Sequence, residues 1–180
     1  MSTQQASKTE HGWFAAGSGR WLGLASAVTV AVILLDAATK WLVVREIGPN
    51  TARSSIRVLG SFAELRYTAN AGVAFGLLSD SSTIAGLLVG IVIVPLVIVL
   101  VILASRGMRW AIASGLVLGG AAGNLIDRIG DSTVTDFVSV GRWPSFNVAD
   151  ASITIGALIL IGLSLLQNRA EARQHIPETR

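Results

Sequence analysis

The feature that most constrains this chain is a stretch of 22 apolar or small residues, positions 83–104, that contains no charged side chain. A helix of about 20 such residues is long enough to cross the hydrocarbon core of a bilayer. Pro95 lies inside the stretch, and a membrane helix tolerates proline where neighbouring helices surround it. Three further apolar stretches cover residues 21–44, 110–126 and 150–166, so the sequence predicts four transmembrane helices.

The amino-acid composition also indicates a protein that is surrounded by membrane lipid. The 180 residues are 52% hydrophobic and 14% charged, whereas a soluble domain carries about 25% charged residues. The basic residues are scattered, so we expect no nucleic-acid partner. The chain has no cysteine, and its two histidines, His11 and His175, lie in polar tails. Thiol chemistry, a histidine triad and histidine-ligated zinc are therefore not expected near the membrane.

Four spans place both termini on the same side of the membrane, and Lys and Arg mark the cytoplasmic side. Total basic residues differ little between the two sides, but Arg106 and Arg109 lie in the short turn after the second span. We therefore expect cytoplasmic termini. The predicted cytoplasmic tails are residues 1–20 and 169–180. Between them, residues 21–168 form one transmembrane domain. Its two outer loops cover residues 45–82 and 127–149.

The first apolar stretch has an alternative interpretation. Lys8 and Arg20 precede it, as basic residues precede the apolar core of a cleaved secretory signal. However, Asp36, Lys40 and Trp41 interrupt the stretch, and apolar residues then resume. This pattern favours an uncleaved first helix.

The outer loops contain patterned segments. Apolar and polar residues alternate over residues 63–68 and again over residues 134–138, which predicts short strands. Residues 70–78 are first glycine-rich and then apolar, a pattern that suits a short segment lying in the membrane interface.

Polar groups in or beside a membrane span are costly, so each requires a reason. Here they gather towards one membrane face. They are Asp36 and Lys40 in the first span, Asn124, Asp127 and Arg128 at the end of the third, Asp136 in the second outer loop, and Asn147 and Asp150 at the start of the fourth. Gly120, Asn124 and Asp127 share one helical face.

Each acid also has a structural interpretation. Asp150 could be a first-turn acid at the positive end of a helix. Asp127 and Arg128 could form a local ion pair. Asp36 and Lys40, four residues apart, could neutralise each other, and the spacing favours this interpretation.

Several carboxylates at one small site would support a more specific chemistry. When two carboxyl groups lie close together, ionising both at once is unfavourable, so the pair shares one proton. The ionised group can take a proton from water while the protonated group polarises a carbonyl, which is peptide hydrolysis by general acid–base catalysis. Spacing alone does not decide which two of Asp127, Asp136 and Asp150 form the pair.

Five sequence blocks occur in order along the chain: Asp-Ala-Ala-Thr-Lys-Trp at 36–41, Asn-Ala-Gly-Val-Ala-Phe at 70–75, Gly-Gly-Ala-Ala-Gly-Asn-Leu-Ile-Asp-Arg at 119–128, Val-Thr-Asp-Phe at 134–137, and Phe-Asn-Val-Ala-Asp at 146–150. Together they resemble the signature blocks of the lipoprotein signal peptidases, also called signal peptidase II. The departures are small. Ala69-Asn70-Ala71 stands where that family often has Arg-Asn-Thr, and the loop between Asp136 and Asp150 is somewhat short.

The resemblance implies a membrane all-α fold with four transmembrane helices, a small extracytoplasmic β-sheet and a short interfacial helix from the first outer loop. It implies an aspartyl endopeptidase of the bacterial inner membrane with its active site at the extracytoplasmic face. The expected partners are membrane lipid and diacylglyceryl-modified prolipoproteins, cleaved before the lipidated cysteine. No metal or other cofactor is expected, and the chain is expected to act as a monomer.

By motif position, the resemblance assigns the catalytic pair to Asp136 and Asp150. It assigns substrate-binding or supporting positions to seven further residues: Asn70, Asn124, Asp127, Arg128, Asn147, Asp36 and Lys40.

Three other functions fit parts of the sequence. A transporter or channel subunit could use Asp36, Asp127 and Asp150 as an ion path. Such paths place their acids near the bilayer midplane, whereas these acids lie towards the ends of the spans. A Ser-Lys protease could use Lys40 with a nearby serine. A purely structural membrane scaffold would not require so many polar residues at one face.

Overall fold

The structure, a computed structural model, describes residues 18–60, 62–71 and 82–174. Each predicted apolar stretch lies in a helix, and both predicted strands are present. The elements in chain order are α1 (Ser18–Ile47), β1 (Ile56–Leu59), β2 (Ala63–Asn70), α2 (Ser82–Ala104), α3 (Met108–Asp131), β3 (Val134–Val140) and α4 (Val148–Gln174). The helices extend past the predicted apolar bounds, so residues 169–174 of the predicted tail continue α4.

Two of these helices, α1 and α4, are long and apolar enough to cross a membrane, by length and composition. Only 17% of the most apolar 18-residue window in each is buried within the protein, whereas the core helix of a soluble protein would be mostly buried. Leu34 and Leu35 on α1 and Leu158 and Ile161 on α4 all remain more than half exposed. Such outward apolar surface suits contact with lipid.

Helix α3 is the centre of the bundle, because it packs along both α1 and α4. Glycines make this approach possible. A Cβ at Gly119 would come within 2.7 Å of Val32 Cβ on α1, and one at Gly120 would collide with the carbonyl oxygen of Ala149 on α4. The close contact of three helix backbones therefore depends on small residues in α3.

The three strands form an antiparallel sheet in the order β1-β2-β3. Strand β1, only four residues long, was not predicted from the sequence. The pairing of β2 with β3 sets Thr68 opposite Asp136 and Asn70 opposite Val134. The predicted interfacial segment lies outside the described residues from position 72 onward.

The sheet packs at the end of the bundle where α1 stops. Val43 and Ile47 of α1 form a buried cluster with Phe137 of β3. Helix α3 ends at Ser132, which adopts a left-handed conformation (φ 58°) and donates its N–H to the Arg128 carbonyl. This turn leads directly into β3, so the residues of β3 lie beside the ends of α1 and α3.

Candidate active site

Asp136 is the buried carboxylate of the sheet, with 2% of its surface exposed. Its Oδ2 accepts a 2.9 Å hydrogen bond from Asn70 Nδ2, and its Oδ1 accepts one of 2.8 Å from Asn147 Nδ2. Burial raises the pKa of Asp136, and the charge of Asp150 raises it further. The two asparagine hydrogen bonds and Lys40 act in the opposite direction, but the pKa remains above its usual range.

Asp150 lies in the first turn of α4 and is tied to Asn147 by a reciprocal pair of hydrogen bonds. The backbone N–H of Asp150 donates to Asn147 Oδ1 at 2.8 Å, and the backbone N–H of Asn147 donates to Asp150 Oδ2 at 3.3 Å. This arrangement is a capping box, with asparagine as the N-cap and aspartate three residues later. Capping the helix therefore fixes the orientation of the Asp150 carboxylate.

Asn124 of α3 connects the two helices at this site. Its Nδ2 donates to Asp150 Oδ1 at 2.7 Å, and its Oδ1 accepts from Asn147 Nδ2 at 3.1 Å. The same oxygen lies 3.4 Å from Lys40 Nζ. The Asn147 nitrogen is therefore shared between Asn124 and Asp136, and one connected network joins β3, α3 and α4.

Lys40 of α1 supplies the buried positive charge. Its Nζ lies 2.5 Å from Asp36 Oδ2 and 2.8 Å from Asp127 Oδ2. Each of these carboxylates also accepts a backbone N–H, Asp36 from Ala149 at 2.9 Å and Asp127 from Thr135 at 3.3 Å. Lys40 and its two carboxylate partners, Asp36 and Asp127, therefore link α1 and α3 to the start of α4 and to β3.

Two of the structural interpretations of these acids hold in the structure. Asp36 and Lys40 do form an ion pair four residues apart. Asp150 does lie in the first turn of its helix. Asp127, however, pairs with Lys40 rather than with Arg128, whose Nη1 donates to the Asn124 carbonyl at 3.2 Å. The first helix contacts the fourth in this structure, because Asp36 accepts the Ala149 N–H at the start of α4.

Three contributions to the site were not predicted from the sequence. Two are backbone N–H groups, of Ala149 and Thr135, and the third is the capping role of Asn147. The Asn-x-x-Asp spacing before an apolar stretch could have indicated the cap. The backbone donors leave no sequence signal, because any residue could supply them.

A cavity of about 410 Å³ opens beside Asp150. It is formed by the loop before α4 and by the first two turns of that helix. Its lining residues are Trp143, Pro144, Ser145, Phe146, Asp150, Ala151, Thr154 and Ile155. One carboxylate of the network therefore faces a mainly apolar cleft.

Within residues 18–60, 62–71 and 82–174, no group of three His, Cys, Asp or Glu side chains is arranged to hold a metal ion. Asp36 and Asp127 each face the Lys40 ammonium, which occupies the position where a shared cation would bind.

Solved structures with the same fold define the class of protein. This chain superposes on a bacterial membrane enzyme solved at 2.3 Å with a TM-score of 0.65, 28% sequence identity, and coverage of 88% of this chain and 94% of that one. A second bacterial membrane enzyme, solved at 1.9 Å, gives a TM-score of 0.63 at 29% identity, covering 80% and 93% of the two chains. The fold is therefore that of a bacterial membrane enzyme.

Sequence comparison gives the family. The family model described as "Signal peptidase (SPase) II" matches residues 28–166. The lipoprotein signal peptidase of Chlorobium phaeobacteroides is 37% identical over 72% of this chain and 88% of its own length. That of Halalkalibacterium halodurans is 38% identical over 82% and 94%. This chain belongs to the signal peptidase II family of bacterial membrane proteases, as the five sequence blocks predicted.

Proposed function

We propose that this protein removes the signal peptide from diacylglyceryl-modified prolipoproteins by cleaving before the lipidated cysteine, with Asp136 and Asp150 as its catalytic pair. Family membership supports the substrate class. The pairing rests on one observation, that Asn147 bonds to both carboxylates. Asp127 is the weaker candidate because the Lys40 ammonium and the Thr135 N–H already occupy its Oδ2.

The surroundings of the two acids suggest different roles. Burial raises the pKa of Asp136, so this carboxyl group is suited to hold the shared proton and donate it to the carbonyl oxygen of the scissile bond. Asp150 accepts hydrogen bonds from Asn124 and Asn147 at the positive end of α4, which suits an ionised carboxylate. Asp150 would take a proton from water as the water oxygen attacks the carbonyl carbon. Asp150 then gives this proton to the departing amine as the C–N bond breaks, and Asp136 recovers its own proton from a hydroxyl of the tetrahedral intermediate.

The remaining site residues would position this pair rather than react. Asn70, Asn124 and Asn147 fix the carboxylate oxygens through their amide groups. Arg128 donates to the Asn124 carbonyl, and we propose that it also binds the peptide backbone of a substrate. Asp36, Lys40 and Asp127 would hold the helix ends in register.

The cleft beside Asp150 suits a substrate that is anchored in the membrane. Trp143 and Ile155 line it and remain exposed, and α4 continues from it as an apolar helix. A lipid-anchored peptide lies in the membrane plane, so its scissile bond could reach Asp150 without entering an aqueous channel. Each CH₂ group of the acyl chains that is buried in the membrane or the cleft contributes about 0.8 kcal/mol to binding. A precursor without acyl chains would lose this contribution.

Lys40 does not suit the Ser-Lys alternative. A lysine base must be neutral, whereas Lys40 is buried between two carboxylates. Its further partner is the amide oxygen of Asn124 rather than a hydroxyl. The ion-path alternative is weakened because Asp36, Asp127 and Asp150 are joined through Lys40 and Asn124 at one end of the bundle.

We further propose that α2 and α3 also cross the inner membrane, that both termini are cytoplasmic, and that the sheet and the carboxylates lie at the outer face. Reporter fusions after Arg106 and at the C-terminus should then report a cytoplasmic location, and fusions near Ser55 or Ser139 an external one. An external C-terminus would exclude four spans.

The proposed reaction is tested with the purified full chain, a synthetic diacylglyceryl-modified precursor and the same peptide without lipid. Mass spectrometry should show cleavage immediately before the modified cysteine, and little or no cleavage of the unmodified peptide. EDTA should leave the rate unchanged. Equal turnover of both peptides would contradict the substrate assignment, and loss of activity in EDTA that zinc restores would contradict a metal-free reaction.

A further inference from the structure

A second cavity runs along α1, between α1, α2 and α3. Its volume is about 580 Å³, within the range of about 300–1,000 Å³ typical of ligand sites. Leu22, Val97, Leu100 and Ala122 are among its lining residues, and the lining is apolar apart from the hydroxyls of Ser26 and Thr29. Val97 remains partly exposed, so the groove is open towards the surrounding lipid.

Over the residues that the structure describes, α2 packs mainly against α3 and makes few contacts with α1, which leaves the groove between them. In an aqueous protein such a gap would collapse or fill with water, but here both walls are apolar. An acyl chain has the shape and chemistry to fill it.

Arginines lie near the end of this groove that is lined by Leu22 and Ala104. Ala104 lines the groove and belongs to a buried cluster with Ala25 and Ala111, against which Trp21 packs. Arg20 directly precedes Trp21, and its guanidinium lies 4.3 Å from the centre of that ring.

Two more arginines lie at the same end of the bundle. Arg106 follows Ala104 by two residues, and its guanidinium lies 5.4 Å from the centre of the Trp110 ring. Arg109 is exposed in the first turn of α3. Within residues 18–60, 62–71 and 82–174, no carboxylate forms an ion pair with Arg20, Arg106 or Arg109.

An apolar groove that ends in unneutralised positive charge matches an amphiphile with an anionic head. Tryptophan and arginine are typical of the membrane–water interface, and basic pockets between membrane helices bind phospholipid head groups. We propose that this groove binds one molecule of an anionic phospholipid, with an acyl chain along α1 and α2 and its phosphate beside Arg20, Arg106 and Arg109.

The charge also separates this occupant from a signal peptide. A signal peptide carries its basic residues at the N-terminal end of its apolar segment, so in the proposed topology it would place positive charge against the three arginines. The same charges attract a phospholipid phosphate, and the planar guanidinium groups of the three arginines suit its oxygens.

Native mass spectrometry of the purified full chain with equal amounts of phosphatidylglycerol and phosphatidylcholine tests this proposal without reference to cleavage. We expect one retained lipid per chain and a clear excess of phosphatidylglycerol. The triple variant Arg20→Gln, Arg106→Gln, Arg109→Gln should reduce that excess about tenfold or more. The control is Arg169→Gln with Arg173→Gln, which removes two exposed arginines at the same end of α4 and should leave the excess unchanged.

A second variant addresses the acyl chain. Ala122→Phe fills the groove and should lower retention of both lipids while preserving the relative excess. If the triple variant does not fold, Arg109→Gln alone should give an intermediate loss, because that side chain is exposed. Equal retention of the two lipids, or full retention by either arginine variant, would overturn the proposal. So would a dimer that Ala122→Phe dissociates, or displacement of phosphatidylglycerol by a basic signal peptide.

Discussion

Asn147 donates a 2.8 Å hydrogen bond from its side-chain nitrogen to Oδ1 of Asp136, while its side-chain oxygen caps the helix that carries Asp150. One residue therefore sets the position of a strand carboxylate and begins a helix. The two acids cannot shift independently, because any movement of the start of α4 is transmitted to Asp136.

The double role of Asn147 can be separated by Asn147→Ser. Serine can still cap α4, but its shorter side chain lacks the amide nitrogen that donates to Asp136. Loss of a donor that favours the ionised carboxylate should raise the pKa of Asp136 further. We expect the limb of the pH–rate profile that Asp136 governs to move to higher pH, with a larger fall in kcat than rise in KM. An unchanged pH profile in a folded variant would show that Asn147 acts only as a cap.

Asp136 should make the folded protein less stable as pH rises. Its pKa is raised in the folded state, so the folded protein binds this proton more tightly than the unfolded chain does. Stability from this group is therefore complete at acid pH and is lost as pH rises from the ordinary aspartate range through the raised pKa. Asp136→Asn should lose this pH dependence because its amide does not titrate, while one of the two asparagine donors is left facing an amide nitrogen. Thermal unfolding in detergent across pH measures this, and a variant whose stability falls with rising pH as steeply as the parent's would contradict it.

Removal of the Lys40 charge should be costly. Lys40→Met leaves Asp36 and Asp127 facing each other without a cation, and breaking a buried ion pair in this way costs about 3–5 kcal/mol. Arg66→Gln is the matched control, because its pair with Glu64 is exposed and is worth at most about 1 kcal/mol. Thermal unfolding of both variants makes the comparison. Equal small losses would show that the buried pair is not structural.

The helix contact behind Asp150 is tested by two glycines of α3. A Cβ at Gly120 would collide with the Ala149 carbonyl and lie 2.7 Å from Ile153 Cγ1, whereas one at Gly130 meets nothing within 4 Å. Gly120→Ala should push the start of α4 away, lower stability by about 1–3 kcal/mol and reduce cleavage. Gly130→Ala should be neutral or slightly stabilising, since alanine favours a helix. Full activity of Gly120→Ala would contradict this packing.

The sequence predicted those parts of the fold that have a local pattern. Among the described residues, apolar length predicted the positions of α1 to α4, and alternation predicted β2 and β3. Strand β1 was missed because Ile56–Leu59 is too short to show a period, and it forms only by pairing with β2.

At the site, motif position predicted polar residues that the structure brings together, but their connections could not be predicted. The sequence suggested that Asp127 pairs with its neighbour Arg128, yet it bonds to Lys40 from another helix. Asp36 is held by the backbone of Ala149, 113 positions away. Such partners depend on how the helices pack, which residue spacing within one helix does not determine.

The most direct test of the account is cleavage of the diacylated precursor by Asp136→Asn, Asp150→Asn and Asp127→Asn at equal membrane abundance. Asparagine keeps the shape of aspartate but cannot exchange the proton, so Asp136→Asn and Asp150→Asn should each lose at least about 10²–10⁴-fold in rate. The double variant should be no worse than either single one, because the pair acts as a unit. Any loss in Asp127→Asn should follow from weaker folding or substrate binding. Appreciable turnover by Asp136→Asn, with none by well-folded Asp127→Asn, would show that Asp127 is the true partner of Asp150.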